Sequence, residues 1–389
     1  MPMQNIARLW YSSNVRTNFY QACLVIGIVA ASAWVIDTSS TNLDKLGIKT
    51  GLDFLDTEAG FAISQSLIPF SDTSTYAEAL IVCILNTVVL SLAAIILSTF
   101  LGFFVALSRL SSNWLLNKIS NIYVEIFRNV PLLLQLFFWY FAVLKLLPDK
   151  RQSVSFFDIA FLNIEGLVVP SPIFGDGAYY VVCSIFVAIL LVVLLYYWAK
   201  KRQENTGNTF PVFRWGLLIL FLLPFIVAWL TSFPISWKIP VFGRFNFQGG
   251  TELLPEFVAM LFGLTLYNAA FIGEIIRAGI MSVNKGQREA AASIGLSPSQ
   301  IYNEVIVPQA LRLIIPPLTN QYLNLTKSTA LASAIAYPDL FWAVNGAILV
   351  QTGQVLELQA LTLGAYLGLS LIIALTMNTF NQVTRIKER

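Results

Sequence analysis

GQREAAASIGLSPSQIYNEVIVPQA, residues 286–310, interrupts two long apolar stretches with a polar segment rich in helix formers. Gln287 to Ile294 reads as a short helix, because Glu289, Ala290, Ala291 and Ala292 all accept helical geometry readily. Gly295 follows as a stop, since glycine takes the left-handed conformation of a helix C-terminus at little cost. Ser297 is placed to cap a second helix that begins at Pro298, whose fixed φ suits a first helical turn. Pro308 is expected to end that second helix, because its ring disfavours helix in the residue before it. The small residues Ala290, Ala291, Ala292 and Gly295 let another backbone approach closely, and Glu289 adds one charge for register. On spacing alone the segment is either a grip for a partner chain or an interfacial helix that packs on a membrane surface.

The surroundings fix the solvent. Of 389 residues, 57% are hydrophobic and 12% charged, and the mean hydropathy is +0.71, whereas a soluble domain carries about 25% charged residues. Eight apolar runs reach the length a helix needs to cross a bilayer, about 20 residues. They cover 18–36, 79–108, 129–147, 179–199, 215–232, 255–279, 312–336 and 361–381. The third opens at Pro131, and Pro316, Pro317, Asn320, Asn324 and Lys327 interrupt the seventh. The expected fold is an all-α polytopic membrane protein, because a membrane barrel shows weaker alternating segments of about 10 residues.

Chemistry is sparse along the chain. Cys23, Cys83 and Cys183 each sit inside an apolar run, and there is no histidine, so neither a disulfide framework nor a metal site is expected. The glycines of GRFNFQGG, residues 243–250, lack the lysine and hydroxyl of a phosphate loop, so ATP, if used, is bound by another chain. A net charge of +3 gives no reason to expect nucleic acid. Its distribution is more telling, because Lys and Arg concentrate on the cytoplasmic side of membrane proteins. Placing the N-terminus inside puts Arg8, Arg16, Arg109, Lys118, Arg128, Lys200, Lys201, Arg202, Arg214, Arg277, Lys285, Arg288, Arg312, Arg385, Lys387 and Arg389 inside. Only Lys45, Lys49, Lys145, Lys150, Arg151, Lys238 and Arg244 are then outside. Both termini and residues 286–310 are thereby expected in the cytoplasm.

Residues 1–75 read as one helix with an outer segment, and 76–384 as the transmembrane domain. Within the latter, 148–254 holds two very apolar spans with almost no polar residues and reads as a lipid-facing insertion into a more polar core.

Several polar residues have two readings. Glu274 and Arg277, three apart on one helix face, are placed to pair as a brace. Glu125 and Arg128 are either solvated charges at a span end or a buttress for residues 286–310. Lys327 is costly within a span, at least about 2.5 kcal/mol on insertion scales. It is either part of a structural knot between protomers or a pathway lysine that meets a substrate carboxylate. Asn320, Asn324, Gln135 and Asn268 are further pathway candidates, though helix–helix hydrogen bonding accounts for each equally well. Asn86, Thr87, Ser91 and Tyr267 are similarly placed polar core residues.

The spacing Glu289-Ala290-Ala291, Gly295, Val305, Val307 and Pro308 resembles the EAA loop of ABC importer permeases, with valines where isoleucine and leucine are commoner. AAFIGEIIRAGIMSVNKGQREAA at 269–291 and EIFRNVPLLLQLFFWYF at 125–141 resemble the polar amino-acid uptake permeases. LIIPPLTNQYLNLTKSTALASAIAYPDL at 313–340 and QTGQ at 351–354 look most like the larger broad-specificity permeases for general L-amino acids or neutral and acidic amino acids, which carry two extra helices. The resemblance runs from about Tyr76 to Gln382.

That resemblance implies a type I importer transmembrane domain in the cytoplasmic (inner) membrane, with a five-helix core. Glu289, Ala290, Ala291, Gly295 and Pro308 would form the coupling segment that docks on an ATPase. It further implies a second permease, with a paralogue favoured, two ATP-binding-cassette subunits that hold ATP and Mg, and an extracytoplasmic amino-acid-binding protein. The chain would itself be no enzyme. The rival expectation is a secondary amino-acid transporter driven by an ion gradient, for which broken spans with Pro and Asn are suited.

Overall fold

The computed structural model describes residues 13–45, 51–207 and 210–384. Arg8, Lys49, Arg385, Lys387, Arg389 and both chain ends lie outside the described residues. The helices, in chain order, are α1 (Ser13–Lys45), α2 (Tyr76–Leu110), α3 (Trp114–Asn129) and α4 (Leu132–Leu146). There follow α5 (Ala178–Thr206), α6 (Val212–Leu230), α7 (Pro255–Met281), α8 (Lys285–Ser293), α9 (Pro298–Ile335), α10 (Leu340–Thr352) and α11 (Val355–Thr384).

Among the described residues, five helices are long and apolar enough to cross a membrane: α1, α2, α5, α7 and α11. Two bent pairs add up to two more spans, α3 with α4 at 106° and α9 with α10 at 54°, and the shorter apolar helix Arg214–Leu230 completes the set. Each of the eight expected runs therefore has a helix. The chain divides into two compact units, one of residues 1–133 and 260–389 and the other of 134–259; the expected insertion 148–254 falls within the second.

In the first unit α2 is the central strut. Thr75 and Glu78 start it with a reciprocal capping box, which satisfies two of the N–H groups that a helix start leaves open. Glycines let α2 and α7 approach: a Cβ on Gly102 would lie 2.8 Å from Ile272 Cγ2, and one on Gly273 would lie 2.8 Å from Val105 Cγ1. Small residues are how membrane helices gain close packing when lipid offers no hydrophobic drive.

α2 also closes a gap in the backbone. α9 ends at Ala336, a non-glycine residue at φ +61°, and the chain turns through Tyr337, Pro338 and Asp339 before α10. All three of these are buried, where unpaired backbone groups cost several kcal/mol each in hydrocarbon. Asn86 of α2 donates from Nδ2 to the Pro338 carbonyl at 3.0 Å and to the Gln65 carbonyl at 2.8 Å. Next to it, the Thr87 hydroxyl accepts the Leu340 N–H at 3.1 Å. Asp339 caps α10 by accepting the Trp342 N–H at 2.8 Å, and the Tyr366 hydroxyl of α11 donates to its other oxygen at 3.4 Å. Around this turn pack Phe54, Ala59, Tyr76, Cys83, Val344, Ile348 and Leu358, so residues 51–75 form part of the core rather than a free outer loop.

The second unit adds strands to the expected all-helical picture. β1 (Val154–Phe156), β2 (Ala160–Asn163), β3 (Gly166–Val169) and β8 (Thr251–Leu253) make an antiparallel sheet, with Phe161 opposite Val168 and Val168 opposite Glu252. β4 (Ser171–Phe174) pairs with β5 (Ile235–Lys238), and β6 (Val241–Phe242) with β7 (Phe247–Gln248). Lys150 ties the sheet together, 2.7 Å from Glu165 and 3.6 Å from Glu252. The Glu165 hydrogen bond, with the charge of Glu252, pushes its pKa up. Runs of two to four residues are too short to show the alternation that marks a strand. α5 and α6 pack as an antiparallel hairpin with Phe186, Leu190, Phe221 and Phe225 exposed.

Three prolines behave otherwise than expected. Pro308 does not end a helix: a wide π turn, Ile301–Ile306, leads into regular helix from Val307 to Ser328. A π turn already takes the local backbone out of the i→i−4 ladder, which accommodates a residue with no N–H. Pro316 and Pro317 likewise lie inside that helix without breaking it; both are exposed, so the carbonyls they free lie on an open face. The break falls instead at 336–339.

Replacing Asn86 by Leu should leave the buried Pro338 carbonyl unpaired, at about 1–3 kcal/mol, and the half-buried Gln65 carbonyl with it. The unfolding midpoint of the detergent-solubilised protein should fall by several degrees, while Ser108→Ala, which touches none of these groups, should leave it in place. An unchanged Asn86→Leu midpoint would show that the break is satisfied by other groups.

Candidate functional site

Residues 284–310 fold into a tight hairpin. The Asn284 side chain caps α8, accepting the Gly286 N–H at 2.8 Å. At the other end the Gly295 N–H reaches Ala292 O at 3.0 Å and the Leu296 N–H reaches Ala291 O at 3.2 Å, the paired bonds of a Schellman motif. Gly295 sits at φ +84°, and a Cβ there would meet nothing within 4 Å. Its glycine is thus demanded by backbone conformation and not by crowding. Ser297 and Gln300 form a second capping box with Pro298 in the first turn of α9.

The hairpin has an inside and an outside. Ala291 is 5% exposed and packs with Ile301, Ile306, Leu296 and Val305 in a small core of its own. Glu289, Ala290 and Ala292 are exposed, and Ile294 is 78% exposed. The expectation that Ala291 belongs to the partner-facing surface is therefore corrected. It is small because the hairpin closes over it, and the outward face is Glu289, Ala290, Ala292, Ser293 and Ile294. Arg288 stiffens the closure, donating to the Tyr302 hydroxyl at 2.8 Å with its guanidinium 5.2 Å from that ring. Pro308, half-buried, serves the wide turn and not the outward face.

Next to the hairpin in sequence, the end of α7 carries a charge cluster. Arg277 holds both oxygens of Glu274, at 2.7 and 3.1 Å, as its spacing predicts. Arg109 at the end of α2 also pairs with Glu274, and it donates to Asn121 of α3 at 2.8 Å. Two helices thus meet on one carboxylate, and α3 joins them through Arg109. The spacing within α7 pointed to the Glu274–Arg277 pair, but nothing local could place Arg109, which arrives from 165 residues away. Arg128 lies over the Phe271 ring at 5.3 Å, a cation–π contact, and Glu125 is exposed.

The remaining candidates separate by face. Asn320, Asn324 and Lys327 are exposed, together with Leu313, Pro316 and Pro317, on one stripe of α9. The opposite face is buried, with Tyr322 hydrogen-bonded to Thr99 at 2.7 Å. Among the described residues no carboxylate lies within ion-pair distance of Lys327. Asn268 is 2% exposed, donates to Leu264 O at 2.7 Å, and accepts from Gln321 of α9 at 2.7 Å. It therefore cross-links two helices. Gln135 is buried in the other unit. Asp339, missed in the sequence, proves to be a fully buried carboxylate; a Pro-Asp pair opening an apolar run was the available cue.

Comparison with known proteins bears on what such an arrangement serves. Residues 180–386 match the model of the family described as "Binding-protein-dependent transport system inner membrane component", which is more than half of the chain. The chain belongs to this family. It is 44% identical, over 97% of its own length and 94% of the relative's, to the general L-amino acid transport system permease protein AapQ of Rhizobium johnstonii. It is 46% identical, over 96% of its length and 95% of the relative's, to YhdX of Escherichia coli K12, whose name places it with amino-acid ABC transporter permeases. It is 37% identical, over 99% and 97%, to the glutamate/glutamine/aspartate/asparagine transport system permease protein BztB of Rhodobacter capsulatus. The protein is an inner membrane permease subunit, and an ion-gradient carrier is not favoured.

In the permease, Gly295→Ala should strain the left-handed turn, at about 1 kcal/mol, with no steric clash to confuse the reading. Amide exchange at 294–296 should accelerate severalfold while the global unfolding midpoint holds. Gly295→Asn, which tolerates this conformation better, should recover part of the protection. Equal exchange in all three proteins would show that the turn is not held by glycine.

Proposed function

We propose that this permease is one of two membrane subunits, paired with a paralogue, of an amino-acid importer powered by separate ATP-binding-cassette ATPases. An extracytoplasmic binding protein delivers the substrate, and both termini and the 284–310 hairpin lie in the cytoplasm. A broad range of amino acids, polar and acidic ones included, is the favoured cargo, in keeping with the general L-amino acids for which AapQ is named and the glutamate, glutamine, aspartate and asparagine for which BztB is named. ATP and Mg are bound by the ATPase chains, so this chain performs no covalent chemistry. Residues 148–254 form a lipid-facing addition outside the pathway.

The observation that carries this reading is one continuous element. α9 begins in the exposed hairpin that carries Glu289, Ala290 and Ile294, and ends in the stripe of Asn320, Asn324 and Lys327. An amide-and-ammonium stripe inside a span has no counterpart in lipid, so it faces a partner subunit or water. The outward face of α8 offers the ATPase a surface of small side chains with one carboxylate. When ATP closes the ATPases, the docked hairpins move and the rods move with them. Lys327 then offers a passing α-carboxylate a positive charge.

Two variants separate the ends of that rod. Glu289→Lys should leave the permease inserted and its midpoint unchanged, while substrate-stimulated ATP hydrolysis in the reconstituted complex falls at least tenfold or the ATPase is lost on purification. Lys327→Met, similar in volume, should lower amino-acid uptake at least tenfold with normal assembly and basal hydrolysis. Wild-type stimulated hydrolysis in the first variant would overturn the docking role. Normal uptake of both acidic and neutral amino acids in the second would overturn the pathway role.

A further inference from the structure

The connection between α5 and α6 gathers positive charge on an aromatic platform. The guanidinium of Arg202 lies 5.3 Å from the Trp198 ring centroid and 6.0 Å from that of Phe210. Trp198 and Phe210 meet edge to face at 5.3 Å, and Phe210 stacks on Trp215 at 6.2 Å. Lys201 and Arg214 are exposed nearby in sequence. The one acidic residue between 199 and 214 is Glu204, and among the described residues no ion pair joins Lys201, Arg202 or Arg214 to a carboxylate.

Depth in the bilayer follows from the other end of the same hairpin. There Tyr179, Tyr180, Trp229, Phe233 and Trp237 are all more than half exposed. Tyr and Trp collect at membrane–water boundaries because their rings are apolar and their tips polar. From Tyr180 to Trp198 along α5 is roughly 27 Å at 1.5 Å per residue, which matches a hydrocarbon thickness of about 30 Å. Two aromatic girdles thus bracket one apolar stretch. Arg202, one turn beyond Trp198, stands at the level of the lipid phosphates.

We propose that the α5–α6 turn is a binding site for the headgroup of an anionic phospholipid, with Arg202 as its fixed donor and Lys201 and Arg214 completing it. Stacking on Trp198 and Phe210 holds the guanidinium plane and leaves its N–H edge free. That planar fork matches two phosphate oxygens at once, which an ammonium cannot do. The favoured occupant is a lipid rather than a soluble anion because the platform is continuous with the exposed apolar faces of α5 and α6, against which acyl chains lie.

The test uses the whole transport complex in nanodiscs containing phosphatidylglycerol and phosphatidylcholine of identical acyl chains. Bound lipid is counted by native mass spectrometry after release. The wild-type complex should retain phosphatidylglycerol over phosphatidylcholine by at least fivefold. Arg202→Gln combined with Arg214→Gln should lower that preference at least threefold at equal complex yield, and Arg202→Lys should fall in between. Equal retention of the two lipids by the wild type, or an unchanged preference in the double variant, would overturn the site. Displacement of phosphatidylglycerol by millimolar inorganic phosphate would reassign it to a soluble anion. Crosslinking of an Arg202→Cys variant to another protein subunit would reassign it to a protein interface.

Discussion

Asn86 and Thr87 hold together the break between α9 and α10, where the chain loses its helical hydrogen bonds. In water a break such as 336–339 would be solvated at no great cost, but here the solvent accepts and donates nothing. The two side chains stand side by side on α2 and reach one carbonyl and one N–H on either side of the gap. Asp339 and Tyr366 then fasten α10 and α11 to the same point. Much of the first unit is arranged around this constraint, and the helix that supplies both side chains has buried residues along most of its length. A carboxylate this buried is tolerated because it accepts hydrogen bonds at both oxygens, and a cap of this kind contributes about 1 kcal/mol.

The two ends of the first unit are built by different means. At the break the fastening is by directional hydrogen bonds, from an amide, hydroxyls and backbone. Asp339 is the single acidic group there, and among the described residues no basic side chain lies within ion-pair distance of it. At the far end of α2 it is ionic, with Arg109, Glu274, Arg277 and Asn121 converging from three helices. Charges are affordable at span ends, where headgroups and water screen them, and costly near the midplane, where amides serve better. The same division explains why Asn268 and Gln321 bond across helices while Lys327 stands apart on the open stripe.

Much of this was legible in the sequence, and the exceptions share a cause. Gly295, Ser297 and Pro298 act through their own backbone and immediate neighbours, so local rules placed them correctly. Apolar length alone placed a helix at each of the eight runs, five of them long and apolar enough to cross a membrane unaided. Pro308, Pro316 and Pro317 were misjudged because a proline breaks a helix only when nothing else accommodates the missing bond, and a π turn and an open face do so here. Ala291 was assigned to the wrong side because a small residue reads alike whether it admits a partner or lets its own hairpin close. Asp339 and Arg109 take their meaning from residues more than twenty or a hundred positions away, which no window along the chain contains. The strands of the second unit are shorter than the period needed to see them.

Because helix continues through Pro308, the base of the hairpin and the lysine stripe belong to one stiff body. At 1.5 Å per residue, Pro298–Ile335 is roughly 55 Å long. A rod of that length multiplies angle into distance: a tilt of about ten degrees about one end carries the other by roughly 10 Å, wider than a single amino acid. Had the prolines cut α9 as their chemistry first suggests, each segment would bend separately and small motions would be absorbed at the joints. An unbroken helix needs no chain of intermediate contacts to carry a tilt from its hairpin end to its polar stripe.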